Sequence, residues 1–280
     1  MKKFDPAGPD QPRSGSAPLL GKTILVTRPR DQAEDITAQL EALGAAVIHC
    51  PTIEVVPPSS WAALDASIAR IEEYDWIVFT SANGAQFFLR RLSEMCSKGV
   101  EALARHVICA IGPATARAVE AAGALVHVAA SDSKAEGALT AIIDHVGSEQ
   151  DLKGLRFLIP RARVARETLP EGLRGLGAHV DAVEAYQTVK PDIQPEAIIR
   201  LFKETSIDAI TFTSSSTVSN FAELAALTDL SDLLATALVA CIGPVTAETA
   251  ASYGLRRVIQ PELYNAEALV ASLVESIGEN

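Results

Sequence analysis

Six short stretches carry side chains that can bind an anion or move a proton. Thr27-Arg28-Pro29, Thr80-Ser81-Ala82-Asn83 and Ile111-Gly112-Pro113-Ala114-Thr115 lie in the first half of the chain. Pro160-Arg161, Thr213-Ser214-Ser215-Ser216 and Ile242-Gly243-Pro244-Val245-Thr246 lie in the second. Each sits at the end of an apolar, strand-like run, and ligands of open parallel sheets bind beyond the carboxyl ends of the strands. Small hydroxyl residues and Gly-Pro helix starts offer free backbone N–H groups, which suit carboxylates or phosphates. Each helix end contributes ~0.3–1 kcal/mol, and up to about 2 kcal/mol when partly buried. The plain alternative is that Ser81, Thr115, Ser214, Ser215 and Thr246 do no more than cap or open helices. Repetition favours a ligand, because both halves present the same set, as two jaws of one cleft would.

Arg28 and Arg161 hold equivalent places at the end of the first strand of each half, directly after buried runs. Arg166 follows in the loop-to-helix turn of the second half. A charge-assisted contact to an anion is the chemistry such residues offer. Arg30, Arg90 and Arg91 read as solvated surface. One residue is not duplicated: Tyr186 stands where repeat register puts Ile53 in the first half. A phenol is protonated at neutral pH and can donate a proton or a hydrogen bond. A core aromatic is the common fate of a strand tyrosine, but Glu184, Gln187 and Thr188 around it are polar.

The elements that hold these residues alternate strand and helix. ILVTR (24–28) predicts a strand, 31–44 a helix closed by Gly44, and AAVIHC (45–50) the next strand. WIVFT (76–80) and VICAIG (107–112) predict buried strands, each followed by a helix, the first capped by Ser81 and the second opened by Pro113. The pattern then restarts: RFLIPR (156–161) answers ILVTR, FTSSSTVSNF (212–221) answers FTSANGAQFF (79–88), and CIGPVTAETAASYG (241–254) answers AIGPATARAVEAAG (110–123). The offset stays at 131 to 133 residues, which marks an internal duplication. The expected fold is α/β, two doubly wound parallel-sheet, flavodoxin-like lobes.

Two extended segments, 45–58 and 178–191, exceed the mean strand of about 5–6 residues. Each ends in proline, which cannot donate to a further ladder. They read as strands that leave one lobe and join the other, making a two-stranded β-ladder hinge. Lobe 1 would then combine 21–52 with 192–280, lobe 2 would be 59–180, and 53–58 and 181–191 would be connectors. A tandem split near 150 is the alternative. Residues 1–20, rich in Pro, Gly and Ser, read as a disordered tail without a secretory signal.

Composition narrows the partners. The 280 residues suffice for two domains, and a net charge of −11 argues against nucleic acid and anionic membranes. No apolar run is long enough to span a membrane. Cys50, Cys96, Cys109 and Cys241 are dispersed, and the five histidines show no ligand spacing, so no metal site is expected. Buried, reduced thiols in a cytoplasmic protein fit this pattern. With neither a phosphate-binding G-x-x-x-x-G-K-[ST] nor a strand-borne G-x-G-x-x-G, no nucleotide cofactor is expected.

The set I-L-V-T-R-P (24–29), W-I-V-F-T-S-A-N-G (76–84), A-I-G-P-A-T-A (110–116), E-A-Y-Q-T (184–188), F-T-S-S-S (212–216) and C-I-G-P-V-T-A (241–247) resembles the uroporphyrinogen-III synthase family. The resemblance covers about 22 to 275. It implies cofactor-free cyclisation of hydroxymethylbilane, a linear tetrapyrrole with eight carboxylates. Loss of the terminal hydroxyl as water leaves an azafulvene, and the last pyrrole attacks through its substituted carbon. The resulting spiro intermediate lets that ring be inverted before closure. The resemblance implies that Tyr186 assists loss of the hydroxyl and that Ser81, Thr115, Ser214 and Thr246 line the cleft. Ala82-Asn83 stands where some family members place Pro-Arg. A monomer is expected. The rival reading is a two-lobed binding or regulatory protein of the same fold without catalysis.

Overall fold

A computed structural model describes residues 17–130 and 135–278. The elements, in chain order, begin with β1 (Thr23–Val26), α1 (Glu34–Ala42), β2 (Ala46–His49) and β3 (Glu54–Val56). Next come α2 (Ala62–Ala69), β4 (Trp76–Phe79), α3 (Ala82–Met95), β5 (Val107–Ile111), α4 (Pro113–Ala121) and β6 (Val128–Ala130). Then follow α5 (Ala135–Val146), β7 (Arg156–Ala162), α6 (Thr168–Gly175) and β8 (His179–Val189). The last stretch holds α7 (Pro195–Glu204), β9 (Ala209–Phe212), α8 (Ser215–Leu224), β10 (Leu238–Cys241), α9 (Pro244–Ser252), β11 (Val258–Ile259) and α10 (Ala266–Gly278).

The chain forms two compact units. One takes the described residues up to Glu54 together with those from Lys190 on, and the other is Val55–Val189. We call them the split unit and the central unit. The split unit holds a five-stranded sheet in the order β11-β10-β9-β1-β2. Its neighbours run parallel, with Ile24 beside Val47 on one side and Ala209 on the other. The first βαβ of the chain is thus completed by the last three strands.

The central unit holds six strands in the order β3-β8-β7-β4-β5-β6, and the pairs from β8 through β6 run parallel. Alternation along β4 sends side chains to two cores. Ile77 and Phe79 enter the core that contains Phe88 and Leu92, while Trp76 and Val78 enter the one that contains Ile142 and Leu173. These strands are buried on both faces and read as continuous apolar runs.

Two expectations need correction. The sequence at 181–191 reads as a connector, yet its residues up to Val189 belong to β8, ladder-paired to β7 as far as Tyr186 opposite Ala162. Likewise β3, inside the first expected connector, extends the edge of the same sheet beside β8. Pairing of β7 with β4 stops at Leu158, so Pro160 lies past the central ladder, where a missing N–H is tolerated. The expected tail also ends too late. Residues 1–16 lie outside the described residues, but Leu19 is fully buried beside Ile24 and Leu40, and its N–H donates to the Leu43 carbonyl at 2.9 Å. One leucine in a polar context carries no periodic signal, so composition alone missed it.

Candidate active site

In the central unit, β4 ends and α3 begins at Thr80-Ser81. Ser81 is extended (φ −158°, ψ 153°) and its Oγ accepts from the Gly84 N–H at 3.0 Å, a helix N-cap. The same Oγ lies 3.1 Å from the Tyr186 hydroxyl, and either oxygen can donate. A hydroxyl has one donor and two acceptor sites, so Ser81 can hold both partners at once. Tyr186, on β8, is only 8% exposed. Its ring stacks on Phe87 with centroids 5.9 Å apart and planes 20° apart, and the Arg90 guanidinium lies 4.8 Å over the Phe87 ring.

Gly84 lets the end of β7 approach α3 closely. A Cβ there would stand 2.9 Å from the Pro160 carbonyl oxygen and 3.1 Å from Ser81 Oγ, with the Tyr186 ring at an ordinary contact distance of 3.7 Å. The Pro160 backbone therefore closes onto the first turn of α3 because no side chain intervenes.

Ser81 and Tyr186 open on a cavity of about 380 Å³. Its polar wall comes from Thr80, Ser81, Arg161, Arg166 and Tyr186, and its apolar wall from Ile111, Ile159, Val164, Leu169 and Pro170. An apolar cavity with a few convergent polar groups is the usual form of a small-molecule site. Arg161 is largely buried, with 16% of its side chain exposed, and pairs with Glu167. The hydrogen bond from Arg161 holds the Glu167 carboxyl below the usual carboxylate range. Arg161 also donates to the Arg166 carbonyl at 3.4 Å. The more buried arginine of the cavity therefore already holds a carboxylate, the group expected of a ligand there.

The other residues singled out in the sequence are distributed as follows. Ala82 and Asn83 form the start of α3, half-buried, outside the cavity wall. Thr115 is buried at the third residue of α4. In the split unit, Arg28 is half-buried just past β1. Ser214 caps α8 through a capping box with Thr217, and Ser215 Oγ donates to the Val245 carbonyl at 3.1 Å, tying the starts of α8 and α9 together. Thr246 is buried at the third residue of α9. The central unit thus gathers Ser81, Arg161, Arg166 and Tyr186 around one cavity. Arg28, Ser214, Ser215 and Thr246 belong to the corresponding ends of the other sheet.

Sequence reasoning missed Gly84, Phe87 and Glu167. Gly84 was open to detection, since the other repeat has Thr217 in its place. It also misread Arg91 as solvated: Nε and Nη2 donate to Asp65 at 2.8 and 2.7 Å, and the guanidinium lies 5.0 Å over Trp61.

The family model described as "Uroporphyrinogen-III synthase HemD" matches residues 34–271. The chain belongs to the uroporphyrinogen-III synthase family. A relative from Synechococcus elongatus named uroporphyrinogen-III synthase is 34% identical over 260 residues, which cover 91% of this chain and 96% of that protein. One from Methanothermobacter thermautotrophicus, named putative uroporphyrinogen-III synthase, is 32% identical over 92% of this chain and 99% of its own length. The fold is similar to a solved uroporphyrinogen-III synthetase from Helicobacter pylori, with a TM-score of 0.58 at 14% identity, over 91% of this chain and 99% of that one.

Proposed function

We propose that this chain cyclises hydroxymethylbilane to uroporphyrinogen III, with Tyr186 as the group that helps the terminal hydroxyl leave. The observation that carries this role is the Tyr186–Ser81 pair, 3.1 Å apart in the wall of a cavity that Arg161 and Arg166 also line. Family membership supports the reaction, and the pair supports the assignment of the proton.

The Tyr186 O–H donates to the departing hydroxyl, the C–O bond breaks, and water leaves with the azafulvene behind it. The phenolate then accepts a hydrogen bond from Ser81, whose Oγ stays anchored by the Gly84 N–H. The terminal pyrrole attacks through its substituted carbon, and the spiro intermediate reopens and closes with that ring inverted. The proton released as the macrocycle regains aromatic pyrroles returns to the phenolate. Arg161 and Arg166 take side-chain carboxylates of the substrate, with Glu167 giving way at Arg161. Arg28 offers a further charge just past β1, and Ser81, Ala82, Asn83, Thr115, Ser214, Ser215 and Thr246 offer backbone N–H or hydroxyl contacts at helix starts, the Ser81 hydroxyl itself staying with Tyr186. Holding the chain with its ends near one another is an entropic contribution that no single contact dominates.

The protein acts on this reading as a cytoplasmic monomer. Among the described residues, no helix is long and apolar enough to cross a membrane. The experiment is incubation with freshly made hydroxymethylbilane, oxidation of the products, and separation of the isomers. Mainly inverted isomer, formed faster than spontaneous closure, is expected. The uninverted isomer at the spontaneous rate would leave a non-catalytic binding protein.

A further inference from the structure

The face of α3 turned toward Tyr186 differs from its duplicate at every position of one stripe. In repeat register Gly84, Phe87 and Arg90 correspond to Thr217, Asn220 and Glu223 of α8, as Tyr186 corresponds to Ile53. The core positions keep their character. Ala85, Phe88 and Leu89 correspond to Val218, Phe221 and Ala222, and all six are buried. The duplication therefore serves as an internal control: packing is retained in both copies, while the stripe and the tyrosine differ together.

In the central unit the stripe is one stack. Arg90 lies 4.8 Å over Phe87, and Phe87 lies 5.9 Å from Tyr186 with planes 20° apart. The hydroxyl of Tyr186 lies 3.1 Å from Ser81. A hydrogen bond at the tip fixes where the phenol oxygen is, but leaves the ring free to rotate about its long axis. The direction of the O–H follows the ring plane, so a proton donor needs that plane fixed as well. Phe87 supplies the flat surface that does so, and aromatic pairs favour such offset stacking over loose contact. Arg90 holds Phe87 in turn through a cation–π contact. In the split unit the corresponding Glu223 instead pairs with Lys190, and no phenol is there to orient.

We propose that Phe87, backed by Arg90, is the positioning residue for Tyr186. This rests on the reading of Tyr186 as proton donor. Phe87 touches no reacting atom and acts only through the phenol.

The test uses the full chain with Phe87→Leu, which keeps apolar bulk without a flat face, and Phe87→Tyr, which keeps the face. Arg90→Ala, at an exposed position, serves where Phe87→Leu fails to fold. Each is measured for kcat and KM in the wild-type and Tyr186→Phe backgrounds. Ring-labelled tyrosine NMR follows the Tyr186 signal, identified by its loss in Tyr186→Phe. Phe87→Leu is expected to lower kcat about tenfold with little change in KM, since misplaced catalytic groups lose up to ~10²-fold. Phe87→Tyr restores the rate, and Arg90→Ala costs about two- to fivefold. In the Tyr186→Phe background these losses vanish, and in the wild-type background the Tyr186 ring flips faster and loses its ring-current shift. Equal losses in both backgrounds, or an unchanged Tyr186 signal in Phe87→Leu and Arg90→Ala, would overturn the proposal. A wild-type rate for Tyr186→Phe would defeat the proton-donor reading, while the NMR signal would still decide whether Phe87 positions the ring.

Discussion

Two helix starts built on the same plan, α3 in the central unit and α8 in the split unit, serve different ends. Both follow a buried strand that ends in Phe-Thr-Ser, and both are capped by that serine. At α8 the third helical residue is Thr217, whose hydroxyl accepts from the Ser214 N–H, while Ser214 Oγ accepts from the Thr217 N–H and pairs with Ser216 Oγ at 2.9 Å, so Ser214 is spent on its own helix. At α3 the third residue is Gly84, and the cap Ser81 keeps capacity for the Tyr186 hydroxyl. A side chain in one copy closes the helix end, and its absence in the other opens it to a neighbouring strand. On the proposed reading, the copy with glycine at the third helical position and a phenol beside its cap is the one that carries the chemistry.

The largest effect on this comparison is expected from Tyr186→Phe, which removes the phenolic proton and keeps the ring. A positioned general acid contributes about 10²–10⁴-fold, and initial rates corrected for spontaneous closure measure it. Gly84→Thr, which gives α3 the residue of α8, comes next. Its Cβ would stand 2.9 Å from the Pro160 carbonyl, so strand or helix must shift. A loss near 10²-fold in kcat is expected, together with ~1–3 kcal/mol of stability from overpacking. The reverse change, Thr217→Gly, removes half of a capping box and should show its main cost in a denaturant titration.

Arg161→Ala should raise KM about ten- to hundredfold, the worth of a charge-assisted contact. Glu167→Gln releases the arginine from its internal carboxylate, so KM should fall. If Glu167→Gln raises KM instead, Glu167 orients Arg161 for the substrate and does not compete with it. Thr115→Ala and Thr246→Ala should each give smaller, graded rises in KM.

The smallest effect concerns stability. Asp65 is held below the usual aspartate range by its hydrogen bonds from Arg91. A depressed carboxylate pKa stabilises the folded state above the unfolded value near 4 and loses that contribution as pH falls through the folded value. Arg91→Ala should therefore lower Tm modestly at neutral pH, and the gap from wild type should close in acid. A gap independent of pH would mean that the guanidinium matters for its packing on Trp61.

Much of this was legible in the sequence, because strand ends and helix starts are local signals. Apolar runs, N-cap serines and Gly-Pro starts marked where β4, β5, β9 and β10 end, and a constant repeat offset isolated Tyr186 as the uncopied residue. Contacts set by tertiary pairing were not legible. Tyr186 lies 105 residues from Ser81, and its burial depends on β8 remaining in the ladder beside β7. Polar neighbours along β8 suggested an exposed connector, but a place one strand in from the edge, beside the short β3, accommodates them. The pairing of Arg161 with Glu167 was equally hidden: the buried run before it marked Arg161, but nothing local marked its carboxylate partner. Leu19 and the Arg91–Asp65 pair were missed for the same reason.

The central claim is that one unduplicated phenol speeds loss of the hydroxyl while many contacts control inversion. It is tested most directly by the rate and isomer composition of Tyr186→Phe measured together on fresh hydroxymethylbilane. The account predicts a rate lowered by about 10²-fold or more, with the enzymatic product still mainly the inverted isomer. A near-wild-type rate, or a slow variant that yields the uninverted isomer, would contradict it.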